Sequence, residues 1–277
     1  PRWTNLGLSI EPRIIKEVIK DINLDVDLKK LNFSKNTEVL IAGCGTGQHA
    51  ITTASKYKNA EIFALDLSFN SLAYAKRKAE ELNCQNINFI QGDLLDLRKL
   101  NKKFDIIESV GVLHHMADPL VGWKSLTDCL KKDALMLIGL YSEKARENIV
   151  NIRETINSLK IKTTKKNIIN FRKDIFDNDN TNWDSIKYSP DFYSTSGVRD
   201  LLFHVQEHRF TINKIRSYLN KLGLVFIGFE DTYVLDRFRK KYNETNDIYN
   251  LDKWEDFERN NSRIFSGMYQ FWCKKFE

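Results

Sequence analysis

A glycine-rich turn directly after an apolar run constrains this fold more than any other feature. Residues 39–42 read VLIA, and residues 43–47 read GCGTG. A short apolar run of this kind predicts a buried parallel strand, and the residues after the turn predict a helix. Alternate glycines let the backbone turn sharply and let a ligand approach the main chain. The free N–H groups of the following helix favour an anionic group, so the sequence predicts a ligand site at this turn.

A carboxylate at the end of the second predicted strand indicates a nucleotide cofactor. Asp66 closes the apolar run at residues 62–65 and follows the glycine turn by about 20 residues, the usual place for a group that binds two ribose hydroxyls. Dinucleotide sites use G-x-G-x-x-G, whereas here the third glycine, Gly47, comes one residue earlier. A nicotinamide-dependent oxidoreductase stays open as the alternative, as does a tight turn with no ligand.

Two more strands continue the alternation of strands with helices. Residues 87–90 read INFI and lead into Asp93, and residues 104–109 read FDIIES and lead into VGVLHHMADP. This alternation predicts a doubly wound, mostly parallel sheet. The other elements predicted in this region are helices near residues 47–57, 68–82 and 119–130 and a fifth strand at 134–140.

These signals, taken in order, resemble the class I S-adenosylmethionine (SAM) methyltransferases over roughly residues 38–141. The resemblance implies a Rossmann-like, seven-stranded, mostly parallel sheet with an antiparallel last strand. It also implies SAM as cofactor and S-adenosylhomocysteine (SAH) as product. In the family, the glycine loop surrounds the methionine half of SAM, and the acids after strands two and three bind ribose and adenine. The cofactor-binding residues implied here are Gly43, Cys44, Gly45, Gly47, Asp66, Leu67, Asp93, Leu94, Glu108 and Ser109.

The organisation predicted for the chain is one α/β domain with an insertion. An N-terminal helix is predicted at residues 9–22, with Pro12 in its first turn. Near the other end, Gly223 is predicted to cap a helix, and residues 267–274 are predicted to form the last strand. The four parts are an N-terminal helical segment at 1–37, the SAM-binding core at 38–141, a largely helical insertion at 142–210 and the C-terminal part of the sheet at 211–277.

The insertion is expected to cover the acceptor side of the site, because ligands of doubly wound sheets bind beyond the carboxyl ends of the strands. It contains His204, Glu207 and His208, and the spacing predicts that both histidines lie on one face of a helix. The pattern H-x-x-E-H is that of inverted zinc peptidases, and such a pair could bind a metal. The structural alternative is a polar helix face that pairs with Arg199 and Arg209.

We favour a metal-free role for this stretch. Methyl transfer needs a base only if the acceptor carries a proton, and histidine titrates near neutral pH. A histidine or the neighbouring glutamate would orient or deprotonate the acceptor, and the segment after strand four supplies a further histidine. The catalytic candidates are therefore His204, His208, Glu207 and His114, with no metal ligand expected.

A more specific resemblance covers nearly the whole chain. The runs STSGVRDLLFHVQEHRFTI, ADPLVGWKSL and LIGLYSE, with PRW at the N-terminus, are similar to a bacterial group of SAM-dependent methyltransferase domains. Some members are fused behind tetratricopeptide repeats, so such a repeat is an expected neighbour and the chain is expected to be part of a longer protein. The resemblance implies methyl transfer to an oxygen or nitrogen, with a small molecule as the expected acceptor. A peptide side chain and SAM binding without catalysis remain alternatives.

Composition and one missing motif narrow these possibilities. The N-P-P-Y signature of adenine-N6 and glutamine-amide methylation is absent after strand four, where residues 108–111 read ESVG. A net charge of +6 is spread along the chain without regularly interleaved aromatic residues, so nucleic-acid binding is not expected. No apolar run approaches the roughly 20 residues of a membrane span. Four scattered cysteines lack a C-x-x-C pair, which favours a cytoplasmic setting.

Overall fold

The structure is a computed structural model that describes residues 11–21, 36–177, 183–187 and 189–275. A seven-stranded sheet forms its centre. The strands are β1 (Thr37–Ala42), β2 (Ala60–Asp66), β3 (Ile87–Gln91), β4 (Phe104–Val110), β5 (Leu130–Leu140), β6 (Leu224–Phe229) and β7 (Tyr269–Lys275). Their order is β3-β2-β1-β4-β5-β7-β6, and β7 runs antiparallel to both of its neighbours. The remaining neighbours are parallel, which confirms the predicted fold class.

Helices connect the strands in the pattern that the sequence predicts. Ser68 caps the second connecting helix by accepting a hydrogen bond from the Ser71 N–H, and Gly223, at φ 63°, ends the helix before β6. The helices are α1 (Ile15–Asp21), α2 (Gln48–Lys56), α3 (Phe69–Glu81), α4 (Pro119–Asp128), α5 (Glu147–Ser158), α6 (Lys165–Asp177), α7 (Asp184–Lys187), α8 (Thr195–Phe203), α9 (Ile212–Leu222), α10 (Thr232–Arg239) and α11 (Leu251–Asn260). None of the described helices is long and apolar enough to cross a membrane.

The inner strands β1, β2 and β4 are buried on both faces, which explains why they are apolar at successive positions, whereas the edge strand β3 is only partly buried. In β1, Leu40 and Ala42 belong to a core with residues of α4, α9, α10 and α11. On the opposite face, Val39 and Ile41 pack with residues of α1, α2 and α3. The carboxyl ends of the parallel strands therefore meet along one edge of a rigid sheet, where the glycine turn also lies.

The insertion between β5 and α9 has a hydrophobic cluster of its own. Its helices α5, α6 and α8 bury residues such as Ile152, Phe171 and Leu202 against one another. The chain returns to the sheet through a parallel bridge between Ser142 and Phe210, and the Phe210 N–H donates to the Tyr141 carbonyl. The insertion is thus a helical subdomain attached at the carboxyl end of β5.

Two predictions about helices are wrong within the described residues. The N-terminal helix begins at Ile15, after Pro12, so Pro12 does not lie in its first turn, while residues 9, 10 and 22 are outside the described part of the chain. In the insertion, α8 ends at Phe203, and His204 has the extended angles φ −65° and ψ 133°. Residues 204–209 are therefore not helical, because tertiary hydrogen bonds to the segments after β4 and β5 replace those of a helix.

Candidate functional site

Glycine is needed at the three positions of the turn after β1 for different structural reasons. All have positive φ, at 82° for Gly43, 53° for Gly45 and 89° for Gly47. A Cβ atom at Gly43 would lie 2.3 Å from a Val112 methyl, and one at Gly47 would lie 2.5 Å from the Ala75 Cβ, whereas one at Gly45 would meet nothing within 4 Å. Close packing therefore requires two of the glycines, and the third borders open space where a ligand can reach the main chain.

Asp66 lies directly beside this turn. One of its carboxylate oxygens accepts a hydrogen bond from the Gly45 N–H at 2.7 Å, and the other accepts one from the Ser68 N–H at 2.8 Å. The next residue, Leu67, has 70% of its surface exposed although it is apolar. The site therefore combines an open backbone turn with a carboxylate and an exposed apolar side chain. A nucleoside ligand has a polar sugar that suits the carboxylate and a flat base that suits the apolar side chain.

The predicted adenine-side residues follow the neighbouring strand. Asp93 accepts a hydrogen bond from the Leu95 N–H and so caps the short 3-10 helix at residues 94–100. The Leu94 side chain is buried in the core. β2 and β3 are parallel neighbours, so Asp93 and Asp66 follow adjacent strand ends. Cys44, in the glycine turn, has a buried thiol whose pKa burial raises to about 12, so it stays protonated.

Glu108 and Ser109, at the end of β4, have side chains that are already engaged inside the protein. The buried Glu108 carboxylate accepts hydrogen bonds from Thr53 at 3.0 Å and Tyr57 at 3.5 Å, and it pairs with His49 Nε2 at 2.6 Å. The Ser109 hydroxyl donates to the Ala42 carbonyl. These bonds join α2 and β1 to β4 beneath the glycine turn, which makes both residues supports of the site.

The contact between Glu108 and His49 favours the charged form of both groups. Burial raises the pKa of Glu108, but the hydrogen bond and charge of His49 outweigh that effect and leave the pKa below its usual value. Burial lowers the pKa of His49, and Glu108 more than reverses this, so its pKa lies above the usual value. His49 was not predicted as a site residue, although it lies only two residues after Gly47, the last glycine of the turn.

A column of stacked side chains lies beyond the ends of β4 and β5. The Arg146 guanidinium lies 3.6 Å from the centre of the Tyr141 ring, and the His114 ring stacks on this tyrosine at 3.8 Å between ring centres. His115 contacts His114 edge-on at 4.4 Å and stacks on His204 at 3.8 Å. The structure thus brings together residues from the segments after β4, after β5 and after α8.

The two histidines after β4 differ in their capacity to accept a proton. His114 is fully buried, neither ring nitrogen makes a hydrogen bond within the described structure, and burial lowers its pKa to about 2. It is therefore neutral and a poor base near neutral pH. His115 Nδ1 lies 3.0 Å from the Gln206 carbonyl, which can only accept, so we assign the proton to Nδ1 and the free lone pair to Nε2.

Glu207 is not available as a base, because two arginines of the insertion surround it. Only 1% of its side chain is exposed, and it accepts hydrogen bonds from Arg146 at 2.8 and 3.0 Å and from Arg153 at 2.8 Å. The predicted pairing of a helix face with Arg199 and Arg209 is therefore wrong. Neither arginine partner was predicted, since both lie more than fifty residues before Glu207, at separations of 61 and 54 residues.

The remaining histidines of the H-x-x-E-H stretch do not converge. His204 stacks on His115, whereas the ring of His208 lies 3.3 Å from the side-chain nitrogen of Gln206. The backbone N–H of His208 donates to the His114 carbonyl. The zinc-peptidase interpretation is not supported by this geometry. Across the described ranges, no group of three or more His, Cys, Asp or Glu residues is arranged to hold a metal ion.

A cavity of about 440 Å³ adjoins the stacked column. It lies between the end of β5, the insertion and the segment that precedes β7. Its lining includes Tyr141, Arg146, Ile149, Leu201, Arg263 and Met268. Cavities of roughly 300 to 1,000 Å³ accommodate small organic ligands, so this space can hold one.

Comparison with known proteins identifies the type of domain. Residues 33–187, more than half of the chain, match a family model described as a methyltransferase domain. An uncharacterised protein of Synechococcus is 29% identical over 230 residues, which are 79% of this chain and 55% of that protein. A release factor glutamine methyltransferase of Flavobacterium psychrophilum is 41% identical over 80 residues, 29% of this chain and 28% of the enzyme. The chain therefore spans about half or less of these relatives.

A solved structure shares the fold over most of the chain. PKMT2 from Rickettsia typhi, in complex with AdoHcy, superposes with a TM-score of 0.64 at 18% sequence identity. The match covers 88% of this chain and 50% of the other one. At this identity, the likeness shows a common architecture for the sheet and the helices around it.

Proposed function

Since this chain belongs to the family of SAM-dependent methyltransferase domains, we propose that it transfers the methyl group of SAM to an oxygen or nitrogen atom of a small molecule. The observation that carries this proposal is the position of the cavity beside Tyr141, at the same sheet edge as the open turn at Gly45 and the carboxylate of Asp66. This arrangement provides one place for a nucleoside cofactor and an adjoining place for an acceptor. The product besides the methylated acceptor is SAH.

The residues of the first three strand ends fit SAM. The glycine turn, with Gly45 facing open space, would hold the methionine part, and Asp66 would bind the ribose hydroxyls. Leu67 offers an exposed apolar surface for adenine, and Asp93 with the backbone of Leu94 lies on the adenine side. When bound, SAM supplies an electrophilic methyl group on a sulfonium. The buried side chains of Glu108 and Ser109 would support this site from below, whereas their main chain is the part available to the cofactor.

The contribution of the chain to the reaction is to position and desolvate the acceptor. A reacting lone pair must be held about 3 Å from the methyl carbon, and positioning of this kind can supply much of a rate enhancement. Tyr141 lines the cavity, and its hydroxyl makes no hydrogen bond within the described part of the structure, so it is free to orient the acceptor. Burial raises its pKa, which keeps it a neutral donor.

His115 is the histidine best suited to remove a proton from the acceptor. Its Nδ1–H donates to the Gln206 carbonyl, and its Nε2 keeps a lone pair. Burial lowers its pKa, so the ring is neutral and able to accept a proton near pH 7. His204 would hold the ring of His115 by stacking, and His208 would fix the main chain of His114. Glu207 would act indirectly by fixing Arg146 against Tyr141.

A peptide side chain is the second candidate acceptor, because the match to a release factor glutamine methyltransferase points to that class. This match covers 29% of the chain, and the ESVG sequence at residues 108–111 lacks the N-P-P-Y signature of amide methylation. The volume of about 440 Å³ beside Tyr141 is in the range of small-molecule sites, which favours a small molecule instead. We also propose a cytoplasmic setting, consistent with four free cysteines, and a tetratricopeptide-repeat neighbour, consistent with the sequence resemblance.

Incubation with SAM carrying a radiolabelled methyl group and a fractionated cell extract tests this function. The proposal predicts label in the small-molecule fraction and none with the Asp66→Ala variant. Label in the protein fraction would assign a peptide acceptor instead. Absence of label from every fraction, with SAH still bound by the protein, would indicate a SAM-binding module without catalysis.

A further inference from the structure

The charges around the cavity beside Tyr141 do not balance. Its described lining contains two arginines, Arg146 and Arg263, and one carboxylate, Asp191. Behind the lining, Glu207 and Arg153 add one negative and one positive charge. The charged side chains of the described lining, two arginines and one aspartate, therefore sum to one positive unit. A ligand with a single negative charge would compensate it, whereas an ammonium group would be repelled.

Contacts with neighbouring residues fix the Arg146 side chain in one orientation, in which it can bind an anion. The side chain is buried, its guanidinium lies over the Tyr141 ring at 3.6 Å from the ring centre, and two of its N–H groups donate to Glu207. These contacts leave Nη1 without a hydrogen bond to any described residue. A guanidinium fixed in this way has little conformational freedom left to lose when it binds a ligand.

Arg263 supplies a positive charge that no described residue neutralises. It lies on the segment between α11 and β7, it is exposed, and it has no ion pair or side-chain hydrogen bond within the described structure. Guanidinium groups match the geometry of carboxylates and often bind them through two parallel hydrogen bonds. The cavity therefore offers a carboxylate two guanidinium groups, those of Arg263 and Arg146.

Part of the cavity wall is apolar. Ile149, Ile186, Leu201 and Met268 line it beside polar residues such as Asn148 and Gln270, and Leu201 and Ile186 belong to the hydrophobic cluster of the insertion. A fully polar ligand would leave this surface without a favourable contact, whereas a hydrocarbon chain or ring would gain burial there. The lining therefore suits a ligand with an apolar body and one acidic group.

We infer that the methyl acceptor is a small amphipathic organic acid, whose carboxylate is bound by Arg263 and Arg146 and whose apolar body lies against Ile149 and Leu201. This inference rests on the proposed function, because it names the substrate class of the same site. It also gives the insertion a specific task, since α5 supplies Ile149, α8 supplies Leu201, and Arg146 immediately precedes α5. Specificity for the acid would then come from residues outside the SAM-binding core.

Calorimetric titration of the SAH-loaded protein with octanoate, octylamine and octanol tests this inference. Octanoate is expected to bind, and the amine and the alcohol at least about tenfold more weakly, because a hydrogen bond to a charged group contributes on that order. Arg263→Gln should weaken octanoate binding about tenfold, and Arg263→Lys less. Arg259→Gln is the matched control, since it removes an exposed positive charge outside the cavity and should leave binding unchanged.

The outcomes separate this inference from the proposed function. No binding of octanoate, equal binding of the amine or alcohol, or unchanged binding by Arg263→Gln would overturn the inference. SAH binding is measured first on each sample. SAH binding without octanoate binding contradicts only the carboxylate class, whereas failure to bind SAH contradicts the proposed function itself. Arg263 is exposed and without partners in the described structure, so its substitution is expected to leave the fold intact.

Discussion

Gly45 and Asp66 are the residues that most directly favour a cofactor site. A glycine with positive φ and no neighbour within 4 Å of its would-be Cβ is not explained by packing, whereas Gly47 is explained by the closeness of Ala75. Asp66 accepts two backbone hydrogen bonds at the same turn and sits where a ribose-binding carboxylate is expected. At the residue scale, these differences give two predictions.

Asp66→Ala should reduce SAH affinity at least about a hundredfold, because two hydrogen bonds from a charged carboxylate to ribose hydroxyls would be lost. Isothermal titration calorimetry measures the affinity, and circular dichroism checks that the fold is retained. Asp96→Ala, a change at an exposed carboxylate paired with Lys99, is the control and should bind SAH normally. Unchanged affinity of the Asp66 variant would remove this residue from the site.

Gly45→Ala and Gly47→Ala should separate binding from stability. At Gly47, positive φ and a Cβ contact of 2.5 Å predict a loss of about 2–4 kcal/mol in the free energy of unfolding. At Gly45, only the backbone conformation is strained, so the loss should be about 1–2 kcal/mol, but the new methyl group should obstruct SAH. Urea denaturation and calorimetry measure the two effects. Equal losses of stability in both variants would contradict the packing difference.

The residues of the turn could be predicted because their roles are local. Glycine spacing and a carboxylate at a strand end are visible in any stretch of sequence, and the sheet brings parallel strand ends together. His49 and Glu108 show the limit, since they pair across 59 residues and neither identity reveals the partner. Arg263 could not be singled out either, because its importance comes from the cavity that it lines and from its lack of an ion partner in the described structure.

At the scale of elements, the segment from His204 to Phe210 is the clearest difference between sequence and structure. Its histidine spacing predicts a helix, yet the helix ends at Phe203. Hydrogen bonds from His208 to the His114 carbonyl and from Phe210 to the Tyr141 carbonyl fasten the segment to the ends of β4 and β5. These long-range bonds are invisible in local periodicity, whereas β1 to β5 were predictable because both faces of a parallel sheet are apolar.

The Glu207 contacts with Arg146 and Arg153 should hold this segment to α5. Glu207→Ala leaves two arginines without their shared carboxylate, so it should lower the free energy of unfolding by about 3–5 kcal/mol. Glu154→Ala, at an exposed position on α5, should change it by less than about 0.5 kcal/mol. Urea denaturation measures both variants. If the two variants were equally stable, the ion cluster would not be a structural tie.

At the scale of the whole molecule, the buried histidines predict how stability depends on pH. His114 has a pKa lowered to about 2 by burial, against about 6.5 when the chain is unfolded. The unfolded chain therefore binds a proton that the folded protein excludes, and stability falls as pH drops below about 6.5. The lowered pKa of His115 acts in the same direction. The raised pKa of His49 stabilises the folded protein at low pH, and this stabilisation is lost as pH rises above about 6.5. The lowered pKa of Glu108 has the opposite dependence, and its stabilisation is lost as pH falls below about 4.5.

Urea denaturation at pH 7 and pH 5 measures this dependence. His114 alone should account for a loss of about 2 kcal/mol over that interval, since each pH unit below 6.5 costs about 1.4 kcal/mol. The His114→Phe variant keeps an aromatic ring against Tyr141 and should lose most of this dependence. A variant with the same pH dependence as the original protein would show that His114 is not the buried group responsible.

In the proposed function, the cofactor and the acceptor bind to different parts of the chain. The residues proposed to bind SAM follow β1 to β3, while the cavity is built by the end of β5, the insertion and the segment before β7. Sequence motifs predict the residues of the cofactor site, whereas for the acceptor side they predict only that a helical insertion is present. This is because a cavity depends on packing among residues distant in sequence.

Titration of the protein with SAH and, separately, with NAD distinguishes the two cofactors, because the glycine spacing and Asp66 are assigned to SAM rather than to a dinucleotide. One SAH per chain should bind saturably, and NAD should not bind. Binding of NAD at this site, or no binding of SAH, would contradict the assignment to SAM.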